Sequence, residues 1–191
     1  TLDVVDNALV ITPESPLDTE VLPTAARTML GAMVLCNDGQ AEVGSDGELV
    51  LIGDPTETAL LQLAHDAGIN LDALRASVPR IGENPFDSTR KRMSTVHGPL
   101  NDAASVLDSL PQDRPIGFVK GAPDSLIEHA TGVATSADIV GFDDSWRRRI
   151  QDANDRMAAN GRRVLGVAFR VYDGPTADPD EAETELVLLG L

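Results

Sequence analysis

The segment from Val78 to His97 constrains the fold more than any other part of the chain. Its pattern predicts two strands, Val78–Phe86 and Met93–His97, on either side of a polar and basic turn at Thr89–Arg92. Strands joined by so short a connection pair antiparallel. The remaining segments mix helix and strand patterns without the strict alternation of a parallel sheet. We therefore predict an α+β fold in which an antiparallel β-sheet is flanked by helices.

Hydrophobic periodicity and turn residues place the other elements. Helices are predicted at Thr24–Leu35, Pro55–Ala67, Leu71–Ser77 and Pro123–Ala130, and a fifth is predicted to run through Asn160 from an N-cap at Asp143 or Asp144. Strands are predicted at Glu48–Ile52, Ile116–Val119, Val164–Val171 and Leu186–Leu191. Loops are predicted at Pro13–Pro23, Asn37–Asp46 and Gly98–Gln112, the last with a short helix inside it. The segment Val4–Ile11 fits either an edge strand or an incoming linker.

The clearest helix start in the chain lies at Asp54. Asp54 is suited to the N-cap, Pro55 to the first helical position, and Glu57 to completing an Asp-x-x-Glu capping pair. Gly68 is expected to end this helix, because glycine tolerates the left-handed conformation that commonly follows a last helical turn.

The composition fits one soluble domain. The chain has 191 residues, 42% of them hydrophobic and only 3% aromatic, so its core must be built from Ala, Val, Leu and Ile. We expect a single domain over residues 1–191, with 1–23 as a linker or edge segment. Cys36 is the single cysteine, which excludes an internal disulfide and favours a reducing compartment. No apolar run is long enough to cross a bilayer.

The net charge of −16 argues against a nucleic-acid partner, whose binding surface would be basic. An anionic ligand would therefore need a local concentration of cations. Such a concentration occurs at Thr89–Met93, which holds three cations and no acid. The only two lysines, Lys91 and Lys120, both lie in candidate binding segments.

Phe86 stands just before this basic turn, and it has two interpretations. An apolar ring beside Arg90, Lys91 and Arg92 suits a nucleotide, with the base on the ring and the phosphates on the cations. Alternatively, Phe86 is a core residue at the end of a strand, and the turn is merely solvated. The segment alone does not decide between them.

Glu57 and Lys120-Gly121 are equally open to two interpretations. Glu57 fits a helix-capping residue or an acceptor for an exocyclic amine such as that of adenine. Gly121 fits an ordinary strand-to-helix turn or a place where a flat ligand lies against the backbone. The usual phosphate-binding loops, Gly-x-x-x-x-Gly-Lys-Ser/Thr and Gly-x-Gly-x-x-Gly, do not occur. The three histidines are widely spaced and have no partnering cysteine, so no metal site is expected.

Four segments taken in order identify a resemblance to the nucleotide-binding domain of P-type cation-transporting ATPases, of the calcium-pump and sodium-pump branch. The segments are Gly-Asp-Pro-Thr-Glu-Thr-Ala-Leu-Leu at 53–61, Pro-Phe-Asp-Ser-Thr-Arg-Lys-Arg-Met-Ser at 85–94, Phe-Val-Lys-Gly-Ala-Pro-Asp at 118–124, and Gly-Arg-Arg-Val-Leu-Gly-Val-Ala at 161–168. The resemblance implies an antiparallel sheet flanked by helices and inserted into a separate phosphorylation domain.

The resemblance also implies roles for individual residues at the adenine end of ATP. By motif, Phe86 stacks on adenine and Glu57 accepts a hydrogen bond from its amino group. Lys120 and Gly121 line the adenine pocket. Two further residues are implied as walls of the pocket: Thr56 and Met93.

At the phosphate end, the resemblance implies that Lys91 adds positive charge near the ring and the α-phosphate, and that Arg163 reaches the β-phosphate side. One position departs from the pattern. Some calcium-pump relatives carry an arginine where this chain has Ser88, so a phosphate contact is either missing or taken over by Arg90.

The function implied by the resemblance is to bind ATP and present its γ-phosphate to an aspartate in another domain of an ATP-driven cation pump, with calcium as the first candidate ion. The Asp-Lys-Thr-Gly-Thr motif of that aspartate is absent from this sequence, so the chain alone is expected to bind ATP without hydrolysing it. Mg²⁺ is expected to act in the full-length pump. The implied partners are ATP or ADP and the phosphorylation and actuator domains of the same polypeptide.

The chain begins without Met and ends on an apolar run, so we expect it to be excised from a longer protein. The resemblance implies that it is a monomeric cytoplasmic domain of a plasma-membrane protein. The main alternative is a degenerate or regulatory nucleotide-binding or interaction domain that does not deliver ATP productively. A stand-alone nucleotide sensor is a more distant alternative.

Overall fold

The computed structural model of the chain describes residues 2–5, 8–11, 22–43, 48–100, 105–173 and 181–191. Most of the predicted loop Pro13–Pro23 lies outside these ranges, as do parts of the predicted loops Asn37–Asp46 and Gly98–Gln112. Within the ranges, no helix combines the length and the apolar character needed to cross a membrane.

The described residues form strands and helices in an irregular order along the chain. The strands are β1 (Leu2–Val5), β2 (Ala8–Ile11), β3 (Gln40–Val43), β4 (Leu49–Ile52), β5 (Arg80–Asp87), β6 (Arg92–His97), β7 (Ile116–Gly121), β8 (Ala130–Ala134), β9 (Ile139–Gly141), β10 (Gly166–Val171) and β11 (Leu186–Gly190). The helices are α1 (Thr24–Leu35), α2 (Pro55–Asp66), α3 (Leu71–Ser77), α4 (Pro123–His129) and α5 (Asp144–Ala159), with a 3₁₀ turn at Ser105–Leu107.

Seven of these strands form one sheet in the order β5-β6-β7-β10-β11-β8-β9. Its pairs are antiparallel except for β11 with β8, which is parallel. The pairs β1-β2 and β3-β4 form two small antiparallel sheets. The predicted α+β class is confirmed, and the sheet is mostly antiparallel rather than wholly so.

Local sequence signals account for the helix bounds. The predicted bounds of α1 and α3 are confirmed to the residue. At the start of α2 the backbone N–H of Thr56 donates to Oδ1 of Asp54 at 2.8 Å, and Pro55 occupies the first turn. Gly68 follows the end of α2 with a φ of 87°, in the left-handed region that glycine adopts without steric penalty.

The seven-stranded sheet is covered on both faces. One face packs against α1, α2 and α3 around a core that includes Met29, Leu61 and Phe118. The other face packs against α4 and α5 around Leu126 and Ile150. Because successive residues of a strand point to opposite faces, the central strands supply both cores and read as continuous apolar runs.

At Val4–Ile11, expected as one edge strand or a linker, the described residues belong to two paired strands, β1 and β2. Three further strands are not predicted. Gln40–Val43 was assigned to a loop but forms β3, which pairs with β4. Ala130–Ala134 and Ile139–Gly141 form β8 and β9, joined by a turn in which Thr135 N–H donates to the Asp138 carbonyl at 2.9 Å. These strands are short and rich in small or polar residues, so partner strands rather than local propensity stabilise them.

Candidate functional site

A row of residues crosses β5, β6 and β7 near the hairpin turn, and a bulge in β5 creates it. Asn84 pairs with Ser94 and Asp87 pairs with Arg92, so three steps along β5 match two along β6. Pro85 and Phe86 therefore both lie opposite the single residue Met93, as in a β-bulge. The predicted strands of this hairpin are confirmed, but the bulge was not foreseen.

Met93 in turn pairs with Lys120 on β7. Neighbouring strands lie about 4.8 Å apart, so Phe86 and Lys120 stand about 10 Å apart across the sheet. Met93 is buried, whereas Phe86 is 64% exposed. The interpretation of Phe86 as a core residue is thus wrong, because most of its surface is exposed to solvent.

Lys120 is held by Glu57 at the start of α2. The Lys120 ammonium lies 2.5 Å from Oε1 of Glu57, and the lysine is 5% exposed. The other carboxylate oxygen, Oε2, accepts a hydrogen bond from the backbone N–H of Asp38 at 3.1 Å. The predicted capping pair is therefore wrong in one respect: the Glu57 carboxylate turns to β7 and to the α1–β3 connection.

Asn37 fixes that connection against α2. Its amide nitrogen donates to the Glu57 carbonyl at 3.0 Å, and its amide oxygen accepts from the Gly39 N–H at 2.8 Å. Next to it, Cys36 is fully buried, and this burial raises the pKa of its thiol to about 11. The Cys36 thiol is therefore neutral and adds no charge to the site.

Arg163 and Thr56 extend the site toward the start of α2. The Arg163 guanidinium donates to Oγ1 of Thr56 at 3.3 Å. Both residues adjoin Asp54, whose pKa is lowered mainly by hydrogen bonds from Thr56, with a smaller contribution from the Arg163 charge. Arg163, which is predicted for the phosphate side, thus contacts the residue that precedes Glu57.

Gly121 is required by the hairpin turn. A Cβ atom at this position would lie 2.5 Å from the Lys91 carbonyl oxygen and 2.5 Å from the Cβ of Arg92, both too close for any side chain. The next residue, Ala122, donates its N–H to the same Lys91 carbonyl at 2.9 Å. Glycine at 121 therefore lets the turn rest on the end of β7.

The basic turn itself directs its side chains into ion pairs. Lys91, which has a φ of 55°, places its ammonium 2.9 Å from Asp124 on α4, and this contact lowers the pKa of that carboxyl. Arg90 and Arg92 both pair with the buried carboxylate of Glu183.

The structure therefore brings together Thr56, Glu57, Phe86, Met93, Lys120 and Arg163, with Gly121 next to Lys120. Arg90 and Lys91 instead engage acids of the protein.

Two contributions to the site were missed by sequence reasoning. The Asp38 backbone N–H and the Glu183 carboxylate carry no motif of their own. Glu183 lies more than 90 positions from Arg90 and Arg92, and no local pattern links them. The segment around Glu183 is rich in acids, so nothing in the sequence distinguishes Glu183 from its acidic neighbours Glu181 and Glu185.

A separate apolar cavity of about 200 Å³ lies elsewhere, between α4, α5 and the end of β11. Trp146 and Ile150 of α5 line it together with Leu126 of α4. None of the predicted site residues lines this cavity. It therefore belongs to the packing of the second helical layer rather than to the candidate site.

The structure defines an α+β domain built on a mostly antiparallel sheet, and comparison with known proteins assigns its family. Residues 25–191 match the family described as "P-type ATPase, cytoplasmic domain N", so the chain belongs to that family.

Bacterial relatives agree with this assignment. The chain is 33% identical over 174 residues to "Calcium-transporting ATPase 1" of Lactococcus lactis, covering 91% of this chain and 18% of that protein. It is 34% identical over 165 residues to "Calcium-transporting ATPase 1" of Bacillus cereus, covering 86% of this chain and 17% of that protein. The chain thus spans less than a fifth of the length of these relatives.

Proposed function

We propose that this domain binds the adenosine part of ATP on the row formed by Phe86, Met93 and Lys120 and presents the γ-phosphate to a phosphorylatable aspartate in a separate domain. The observation that carries the proposal is the exposed ring of Phe86 in register with a buried lysine that is paired with Glu57. Aromatic stacking on a base contributes roughly 1–3 kcal/mol.

The chemistry of the site suits adenine. A carboxylate has about four lone-pair sites, so Glu57 retains capacity for an exocyclic amine after accepting from Lys120 and Asp38. Lys120 keeps that carboxylate turned toward β7. Arg163 stands on the side where the phosphates would extend. Lys91 reaches them by exchanging its exposed pair with Asp124, since such pairs contribute only about 0–1 kcal/mol.

The partners follow from the family. The relatives are named as calcium-transporting ATPases, and we propose that this chain serves a cation pump of that kind, with calcium as the first candidate. The phosphorylation and actuator domains of the same polypeptide, in a membrane-bound pump with this domain in the cytoplasm, are the proposed partners. Among the described residues no group of three or more His, Cys, Asp or Glu side chains could hold a metal ion, so Mg²⁺ would arrive on the phosphates.

Titration of the domain with ATP, followed by amide chemical shifts, tests the proposal. We expect shifts around Phe86 and Lys120, and Phe86→Ala should weaken ATP binding by at least about 1 kcal/mol, roughly five-fold. Ile81→Ala is the matched control, because Ile81 is 59% exposed on the same strand. Equal affinities of the two variants, or no shifts at all, would favour the alternative of an interaction domain with a degenerate pocket.

A further inference from the structure

Glu183 is a buried acid with three donors from the hairpin. It is 5% exposed, and it lies outside every segment that carries the family resemblance. Its carboxylate accepts from Nε of Arg92 at 2.7 Å, from Oγ of Ser94 at 3.2 Å, and from the guanidinium of Arg90. The side chain of Ser94 lies on the face opposite to Met93, so this cluster is on the other side of the sheet from Glu57 and Lys120.

Arg90 links this buried cluster to the bulge. Its Nη2 donates to the carbonyl oxygen of Pro85 at 2.8 Å, while its Nη1 donates to Glu183. A bulge leaves backbone groups without partners in the strand ladder, so the Pro85 carbonyl needs a donor from elsewhere. The planar guanidinium fork can serve two acceptors at once, which an ammonium on a flexible stem does less well.

A second set of hydrogen bonds, made by the Ser125 hydroxyl, holds the turn but does not include the bulge. Oγ of Ser125, on α4, donates to the Arg90 carbonyl at 2.8 Å and accepts from Nη1 of Arg92 at 2.8 Å. These hydrogen bonds fix the backbone of the turn against α4. The path from Glu183 through Arg90 reaches the bulge at the Pro85 carbonyl. A further side-chain hydrogen bond, from Nδ2 of Asn84 to Oγ of Ser94 at 3.2 Å, lies at the residue before the bulge.

We propose that Glu183 and Arg90 are positioning residues that hold the Pro85–Phe86 bulge and thereby keep the Phe86 ring in register with Met93 and Lys120. The inference rests on the proposed function, since it assigns Phe86 to the base. It replaces the expected phosphate contact of Arg90 with an indirect role: the Arg90 guanidinium acts through the backbone of Pro85 and does not touch the nucleotide.

The test measures binding of adenosine and of ATP by the domain carrying Glu183→Gln or Arg90→Lys. Both variants should bind both ligands roughly five-fold more weakly, the loss expected from removing the ring itself. Arg90→Lys keeps a positive charge facing Glu183, so it remains informative if Glu183→Gln does not fold. Glu181→Gln is the control, because Glu181 lies in the same segment but pairs with Arg170.

A double-variant comparison separates positioning from a general loss of structure. In the Phe86→Ala background, Glu183→Gln should leave ATP affinity unchanged, because the ring that it positions is gone. A further five-fold loss of ATP affinity in that background would overturn the inference. Weaker binding of ATP with unchanged binding of adenosine would also overturn it, and would restore the expected phosphate contact of Arg90. If Phe86→Ala itself has no effect, the proposed function fails. If only Phe86→Ala has an effect, this inference alone fails.

Discussion

Lys120 illustrates how one residue serves both the fold and the candidate site. Its ammonium is buried against Glu57, and removing one member of a buried pair leaves the other charge unpaired, which typically costs about 3–5 kcal/mol. A Lys120 variant therefore loses stability as well as any ligand contact. Phe86, which is exposed, is the cleaner position at which to test binding alone.

His97 gives the residue-scale prediction for pH. Burial, assisted by the charge of Arg80, lowers the pKa of His97 to about 4, and its ring nitrogens engage the Val78 carbonyl and the Thr95 hydroxyl. Below pH 6.5 the unfolded chain binds a proton that the folded chain does not. The free energy of unfolding should thus fall by about 2 kcal/mol between pH 6.5 and 5 from this group.

Urea denaturation at several pH values measures this effect. His97→Gln should flatten the dependence of the unfolding free energy on pH in that window, whereas His65→Gln, an exposed substitution on α2, should keep the wild-type dependence. If the unfolding free energy of His97→Gln depends on pH as the wild type does, the pKa of His97 is not lowered in the folded domain.

At this scale the sequence predicted which residues lie near one another better than it predicted what they contact. Phe86, Glu57 and Lys120 were selected from motifs, and the structure brings them near one another. The orientation of the Glu57 carboxylate depends on the Asp38 N–H, which only the folded chain supplies. Glu183 was missed because its partners are brought to it by tertiary packing.

Among the elements, the β5-β6 hairpin does most to shape the site, and its geometry depends on close backbone contacts. The turn rests on the end of β7 only because residue 121 has no side chain. The start of α2 was predictable, since Asp54 and Pro55 are local signals. The bulge was not, because a bulge is a mismatch between two strands and neither sequence shows it alone.

Gly121→Ala gives the element-scale prediction. The added methyl group would meet the backbone oxygen of Lys91 at 2.5 Å, so the turn must move away from β7. We expect a loss of about 1–3 kcal/mol in unfolding free energy, the range for overpacked sites. Gly141→Ala on β9 is the control, since its added methyl meets no atom within 4 Å and should change stability by less than about 0.5 kcal/mol. Equal denaturation midpoints would contradict the close contact.

On the scale of the whole molecule, one sheet is shared by two helical layers. Phe118 and Val119 are neighbours on β7 and enter opposite cores, so neither layer can come apart without exposing the strand that serves the other. The sequence predicted the α+β class and an apolar core. It could not give the strand order, because β11 pairs with β8 through contacts between distant segments.

Unfolding should therefore be a single transition. Phe118→Leu removes volume from the first core, while Trp146, the one tryptophan, lies in the second. We expect Phe118→Leu to shift the Trp146 fluorescence transition and the far-ultraviolet circular dichroism transition together, by about 1–1.5 kcal/mol. Ile150→Val, a loss in the second core, should move both probes in the same way. Separated transitions would mean that the layers unfold independently.

The irregular shape of β5 also bears on association between copies of the domain. β5 is one border of the seven-stranded sheet, and its register shifts twice along its length, at Arg80–Gly82 and at Asn84–Asp87. Pro85 has no backbone N–H, so that border lacks a further hydrogen-bond donor. The strand at the opposite border, β9, is only three residues long. An incoming strand would find no straight row of amide groups on either side. The distortion beside the exposed Phe86 ring thus also hinders edge-to-edge pairing between copies of the domain.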